Sequence, residues 1–493
     1  MISIPSAIPS ARLRALNRQP VRVDAAYVVY VMGAARRLTW NFALEHAALS
    51  AAQLRRPLLV VEPLLLGETW ASHRRHAFAF DGMREHAEAL TDVGVSYYPF
   101  VERRAGEAKA LLNALSTSAV QLVGDDVPIG AATPLLEQLA KACEVRVEVV
   151  DSNGLLPMRS ARRDFTAAVH FRRHLHKELA PHLIEFPRAE PLRLVTGMPS
   201  ATVASDIAAQ WPAVGAEYFY RPTTLLGSLA YPCEASPVDM KGGARSAHAR
   251  LQAFLETKLR RYADERNHPD DGAASGLSPW LHWGHISAHE IFSALAEREG
   301  WSPARLSGAV TAKREGWWGM SPAAEAFLDE LVTWREIGFN FAVENPDYDR
   351  YESLPEWARA TLEEHAADPR PEIYDLEQLD AATTYDKIWN AAQRQLRREG
   401  VMENYLRMLW GKRIIEWTQH PKESLQVMIE LNNRYALDGC DPNSYSGIFW
   451  VLGRFDRAWT ERAIYGKVRY MSSDATRRKL NMTRYLSTYG REA

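Results

Sequence analysis

Residues 389–417 read WNAAQRQLRREGVMENYLRMLWGKRIIEW. Tyr405, Leu406, Leu409, Trp410, Ile414 and Trp417 recur at three- and four-residue steps, the spacing of one helix face. Glu399-Gly400 marks a helix stop, because glycine readily takes the left-handed conformation that ends a helix. Trp389 therefore belongs to the preceding helix and meets the other two indoles only by packing. Trp410 and Trp417 are two turns apart and share a face. The opposite face carries Arg394, Arg397, Arg398, Arg407, Lys412 and Arg413 against Glu399, Glu403 and Glu416. The pattern predicts a helical domain with an aromatic inside, fit for a flat cofactor or a chain of indoles. It also predicts a basic outside that meets a polyanion. A helical core that uses tryptophan as filler satisfies the same spacing.

Towards the C-terminus, residues 431–450 read LNNRYALDGCDPNSYSGIFW. Asn432, Asn433, Asp438, Asp441 and Asn443 crowd a segment with turn formers at Asp438-Gly439 and Asp441-Pro442. The glycine placement and final glutamate of a Ca²⁺-binding EF-hand loop are missing, and no metal site is expected. Residues 447–493 hold ten Lys and Arg against four Asp and Glu, interleaved with Phe449, Trp450, Phe455, Trp459, Tyr465 and Tyr470. Cations interleaved with aromatics suit nucleic acid with exposed bases; a solvated basic face is the plainer alternative.

Towards the N-terminus, helix patterns continue back to about residue 244. One of them carries Glu330 and Trp334 four residues apart, a carboxyl beside an aromatic plane. Ser275-Gly276-Leu277-Ser278-Pro279 precedes a helix expected at about 286–298 and offers small residues and hydroxyls to a phosphate. Lys258, Arg260, Arg261, Arg266 and Asn267 lie just upstream. Residues 181–243 are broken by prolines and read as a long interdomain linker. Residues 25–180 alternate short apolar runs (26–32, 58–61, 95–100, 119–123, 145–150) with helix patterns. This is the signature of a parallel sheet with helices on both sides, a Rossmann-like doubly wound α/β domain. No GxGxxG follows the first strand, where the chain reads MGAARR, so a standard dinucleotide site is not expected. Residues 1–24 read as a loose arm. The expected plan is thus an arm (1–24), an α/β domain (25–180), a linker (181–243) and an all-α domain (244–493).

A chain of 493 residues exceeds one core. The net charge of -2 requires any nucleic-acid site to be a local patch. Cys143, Cys233 and Cys440 are isolated and odd in number, which fits a reducing cytosol and argues against disulfides. No run is long and apolar enough to span a membrane, and the opening residues do not lead one to expect a secretory signal. Most of the fifteen tryptophans lie after residue 279.

The C-terminal half resembles the class II cyclobutane pyrimidine dimer photolyases, within the photolyase/cryptochrome superfamily. The resemblance rests on LSPWLHWGHIS (277–287), LDELVTWRE (328–336), NPDYD (345–349), IWNAAQ (388–393), YLRMLWGKRIIEW (405–417), LNNRYALDG (431–439), DPNSYSGIFW (441–450) and GKVRYMS (466–472). These stand in family order over roughly 240 residues. The chain departs from the family at Ala34-Ala35-Arg36-Arg37, at Phe339, at Met402-Glu403-Asn404-Tyr405 and at Gly453-Arg454-Phe455-Asp456-Arg457. Before these helices the match is thin beyond Trp40-Asn41-Phe42-Ala43-Leu44.

The resemblance implies an FAD-dependent carbon–carbon lyase, active with reduced FADH⁻, that repairs pyrimidine dimers in double-stranded DNA as a cytoplasmic monomer. A second, antenna chromophore would be a deazaflavin or a folate. Tyr262, Ser275, Leu277 and Ser278 would contact the phosphates and ribityl chain of FAD, and Arg407, Asp438 and Asn432 its ring. Trp410, Trp389 and Trp417 fall on the family's electron-transfer chain. Glu330 would hydrogen-bond the dimer. Met408, Trp334 and Trp450 would line its pocket, with Arg266 and Asn267 nearby, and Trp459 and Arg469 would enter the gap left in the duplex. A cryptochrome-like photoreceptor, a preference for (6-4) lesions, and a non-photochemical nucleic-acid-binding protein are the alternatives.

Overall fold

The computed structural model describes residues 8–91 and 93–491. The chain forms two compact units. The first comprises the described residues up to Ser160 together with Pro181–Ala249 and Leu277–Ala294; the second comprises Ala161–Ala180, Arg250–Gly276 and the described residues from Leu295 on.

In the first unit six strands, β1 (Leu13–Ala15), β2 (Tyr27–Val31), β3 (Leu58–Leu64), β4 (Ser96–Val101), β5 (Ala119–Asp125) and β6 (Arg146–Val150), form one sheet in the order β1-β6-β5-β2-β3-β4. All pairs are parallel except β1 with β6. Every residue of β2, β3 and β5 is buried, as near-continuous apolar runs require when both faces are covered. One face packs with α1 (Phe42–Leu54), the other with α3 (Glu107–Ser116) and α4 (Ala132–Ala140); α2 (His73–Leu90) contacts β3 and β4. The doubly wound sheet expected from the sequence is present.

Three expectations of domain layout are corrected. Residues 13–15 of the supposed arm are a strand, held by the register Leu13↔Val150 to Ala15↔Glu148; residues 1–7 lie outside the described residues. The proline-rich stretch 181–243 is no free linker. It lies along the α/β unit, where its backbone carbonyls and amides find partners: Ser96 Oγ donates to Ala201 O (2.9 Å), Val214 N to Pro99 O (2.8 Å), and Arg188 pairs with Glu45 (3.0 Å). Residues 161–180, expected in the α/β domain, belong instead to the second unit. There the helix α5 (Ala168–Glu178) carries Arg172, which meets Asp329 in a buried ion pair (2.8 Å), and Phe165 N donates to Asn340 Oδ1 (3.1 Å).

The carboxyl ends of β2 and β5 form the topological switch point where doubly wound sheets bind ligands. Here the Asp125 carboxylate accepts from the amides of Gly33, Ala34 and Ala35 (2.8–3.0 Å) and from the Tyr30 hydroxyl (2.9 Å). The three amides that could cradle a phosphate are spent on the chain's own carboxylate.

The second unit is helical. Its main elements are α6 (Pro322–Leu328), α7 (Arg335–Glu344), α8 (Lys387–Glu399), α9 (Asn404–Trp417), α10 (Pro421–Tyr435) and α11 (Pro442–Val451). Gly400, at φ 72°, ends α8 where the sequence placed the break. Between α6 and α7 the turn Asp329–Trp334 is π-helical, where one continuous α-helix was expected. Such wide turns often accompany functional sites. Among the described residues no helix is long and apolar enough to cross a membrane, and all three cysteines are free.

The basic face of residues 389–417 does not form an outer surface. Lys412 is fully buried and Arg413 is 6% exposed. Arg413 lies 3.2 Å from Asp386 and also pairs with Glu416. Arg407 pairs with Asp438 (3.0 Å), and Arg394 donates to Gly490 O and Ala382 O. Because α9 is covered on nearly all sides, its cations are satisfied by carboxylates and carbonyls distant in the chain.

Candidate functional site: a helical pocket wall and three indoles

Trp389 on α8 and Trp410 on α9 lie nearly parallel, 6.2 Å between ring centroids and 4° between planes. Trp417 meets Trp389 at 5.4 Å and 74°. The packing deduced from Gly400 is thus realised, with Trp389 between the two indoles of the next helix. The indole N–H of Trp410 donates to Gln393 Oε1 (3.0 Å), and that of Trp389 to Trp410 O (3.0 Å). Neither acceptor is a base. Beyond Trp417 lie Tyr374 (5.3 Å) and Tyr385 (5.7 Å), the latter 55% exposed.

The last turn of α10 and the amide-rich segment after it form a network. Asn432 Nδ2 donates to Asn433 Oδ1 and to Ser444 Oγ (both 3.1 Å), and Ser444 Oγ donates to Asp438 O (2.7 Å). With both N–H groups spent, Asn432 presents Oδ1, an acceptor. Asp438 in turn accepts from Arg407 (3.0 Å).

Glu330 sits half-exposed on the π turn, its carboxylate 3.1 Å from the Arg266 guanidinium. Burial pushes its carboxyl above the ordinary range, Arg266 pulls it back, and neighbouring Asp329 pushes it up again. Trp334, Met408, Trp450 and Arg407 are likewise only partly exposed. Met408 Cε lies 3.7 Å from where a Cβ on Gly447 would stand, which brings α9 and α11 together at this point. Asn267, partly exposed, follows Arg266. Arg469 lies with its guanidinium 4.2 Å from the Trp459 ring and 5.5 Å from the Trp450 ring, and Asp456 holds it at 2.8 Å.

Arg250, which the sequence did not single out, donates from Nε to Ser275 O (2.6 Å). Gly276 has φ 64°, and a Cβ there would stand 2.1 Å from Arg250 Nη2. Burial lowers Lys258, and nearby Arg250 lowers it further. Glu403, one of the departures from the family pattern, is raised by burial against the pull of Lys258 and Arg250. Lys258, depressed by burial and by Arg250, and the Arg250 guanidinium are cations of the kind that could meet a cofactor's phosphates. Tyr262 is buried edge-on against Phe254 and Phe327 (both 5.5 Å). Leu277 and Ser278 fall in the first unit, Leu277 buried and Ser278 exposed. The helix that follows is only Ser278–His282, not the long helix expected at 286–298, which begins at Ala288. The short helix gives no strong amide terminus for a phosphate.

The altered loop at 453–457 is anchored from within. Buried Arg454 pairs with Asp164 and stacks 4.1 Å from the Phe341 ring, while Phe455 takes a left-handed φ of 66°. Phe339 is buried beneath the Arg335 guanidinium (4.7 Å).

The fold is that of the photolyases. A bacterial class III photolyase from Agrobacterium tumefaciens superposes with a TM-score of 0.64 at 16% identity, over 94% of this chain and 86% of the other. No protein-family model matches the chain. The deoxyribodipyrimidine photo-lyase of Methanothermobacter thermautotrophicus is 32% identical over 97% of this chain and 98% of its own length. That of Arabidopsis thaliana is 31% identical over 98% and 93%. The chain belongs to the deoxyribodipyrimidine photo-lyase family, within the photolyase/cryptochrome superfamily.

Proposed function

We propose that this protein is a flavin-dependent enzyme of class II type that splits cyclobutane pyrimidine dimers in DNA under light. The observation that carries this is the contact series Trp410–Trp389–Trp417 (6.2 and 5.4 Å), in a chain similar throughout to photo-lyases. Tryptophan is among the few side chains that can be oxidised and restored. Three in contact form a path by which an oxidised cofactor is reduced from outside.

Arg250, Lys258 and Ser275 would hold the cofactor's phosphates, and Arg407, Asp438 and Asn432 its ring. FAD bound in its reduced form would supply the light-driven electron that splits the dimer and would take it back afterwards. The remaining work falls to side chains. Asn432 Oδ1 accepts from a ring N–H. Glu330, with its proton affinity raised, donates from its protonated carboxyl to a dimer carbonyl. Arg266 offsets negative charge that develops there, an effect strengthened where water is excluded. Trp334, Met408 and Trp450 exclude water around the flipped-out lesion, which stacks and pairs weakly in the duplex and is therefore cheap to extrude. Arg469 and Trp459 fill the gap left behind.

Glu330→Gln tests the assignment. Ring splitting per photon should fall while binding to dimer-containing duplex changes little, because the carboxyl acts on charge that appears only during reaction. Equal loss of binding would make Glu330 a structural residue. Denaturation should release free FAD in equal amount to protein. A second released chromophore would identify the antenna, a deazaflavin or a folate.

A further inference from the structure

We propose that Lys412 is a positioning residue for the dimer-contacting wall, its ammonium tying the last turn of α11 and the indole of Trp450 to α9. The inference rests on the reading of Trp450 as a wall of the dimer pocket.

Lys412 stands two residues after Trp410, on the helix that carries Arg407 and Met408. It is fully buried, yet no carboxylate lies within ion-pair distance among the described residues. Its ammonium instead has two electron-rich partners on α11. It donates to Val451 O, and it lies 5.1 Å from the Trp450 ring. The α11 carbonyls of Phe449 and Trp450 are taken by the amides of Leu452, Arg454 and Gly453. Val451, the final residue of the helix, has Lys412 as its partner. A cation at a helix C-terminus is stabilised by the aligned peptide dipoles, and a cation over an indole by the ring's negative face. Both attractions depend on the charge. Gly411 permits the close approach, since a Cβ there would stand 2.8 Å from Val451 Cγ2 and 2.9 Å from Met428 Sδ.

Two charged groups from other segments act on Lys412: Asp456, which favours its protonation, and Arg469, which opposes it. Burial is the largest influence, and the group titrates at about 7. Arg469 also faces the Trp450 ring, at 5.5 Å, so the indole carries two cations, one of which loses its charge near neutrality. Loss of the proton leaves Trp450 tied by the neutral amine alone.

The experiment compares binding of a dimer-containing duplex and its undamaged counterpart to the flavin-loaded protein, at pH 6.5 and pH 9. For the wild type, preference for the dimer should fall on the order of tenfold across this range, the size of a partly desolvated cation–π contact. Lys412→Met should show the weaker preference at both values, with undamaged-duplex binding within about twofold of wild type. Lys412→Arg, which keeps its charge, should show no fall with pH. A wild-type preference that is flat with pH overturns the proposal, as does a Lys412→Met preference equal to wild type. If Lys412→Met does not fold, the wild-type and Lys412→Arg profiles decide alone. Trp450→Leu separates the two layers. Unchanged dimer preference in that variant sinks the pocket-wall reading itself. A loss there, with a flat wild-type pH profile, sinks only the role of Lys412.

Discussion

Replacement of Lys412 by methionine should stabilise the helical unit most at low pH and progressively less as the pH rises. The ammonium is fully buried and its pKa is lowered from 10.5 to about 7, burial being the main cause. Between these values the unfolded chain binds the proton and the folded one does not. Stability of the wild type therefore rises with pH from about 7 towards 10.5 and is flat below. The whole difference corresponds to roughly 5 kcal/mol of penalty on the charged form, and about half of it is gained between pH 6.5 and 9. Methionine has a similar length and no charge, so its variant lacks this slope. The assay is denaturant unfolding of wild type and Lys412→Met at pH 6.5, 7.5 and 9, read from the transition of the helical unit. Other titrating groups are common to both chains and cancel in the difference. The wild type should gain about 2–3 kcal/mol on the variant over this range. A difference that stays constant within about 0.5 kcal/mol would mean that Lys412 keeps an ordinary pKa, and the linkage argument would fail. The variant is thus expected to be more stable at pH 6.5 yet poorer at selecting dimers, a combination that general structural damage does not produce.

Trp410→Phe should nearly abolish light-driven reduction of oxidised flavin by an external thiol, while enzyme reduced chemically beforehand still repairs dimers; normal photoreduction would end the relay reading. Filler alone would cost a few kcal/mol at most. Gly276→Ala should weaken flavin binding on the order of tenfold, because the left-handed φ of 64° costs about 1 kcal/mol and the new Cβ displaces Arg250; equilibrium dialysis against FAD measures it. Arg172→Met should cost about 3 kcal/mol in denaturant unfolding by leaving the buried Asp329 with only Arg314, at 3.9 Å, and Asp329→Asn in the same chain should restore much of it.

The alternation of short apolar runs with helix patterns over residues 25–150 was enough to read the doubly wound sheet, because strand burial and helix amphipathicity are written at periods of two and 3.6 residues. The break at Gly400, and hence the origin of Trp389 on a separate helix, was legible from one glycine. What periodicity could not settle was where charge resides. Arg394, Arg407, Lys412 and Arg413 form a basic stripe in the linear pattern, yet the fold turns them inward. Their partners are Asp438, Asp386 and the carbonyls of Gly490 and Val451, and only three-dimensional packing brings these to α8 and α9. The same holds for Arg454 and Asp164, 290 residues apart, and for Arg172 and Asp329. Local spacing reports which side of an element is apolar. The free energy of a buried cation depends on desolvation and on distant oxygens, so Lys412 became visible as a constrained charge beneath Trp450 only through the tertiary structure.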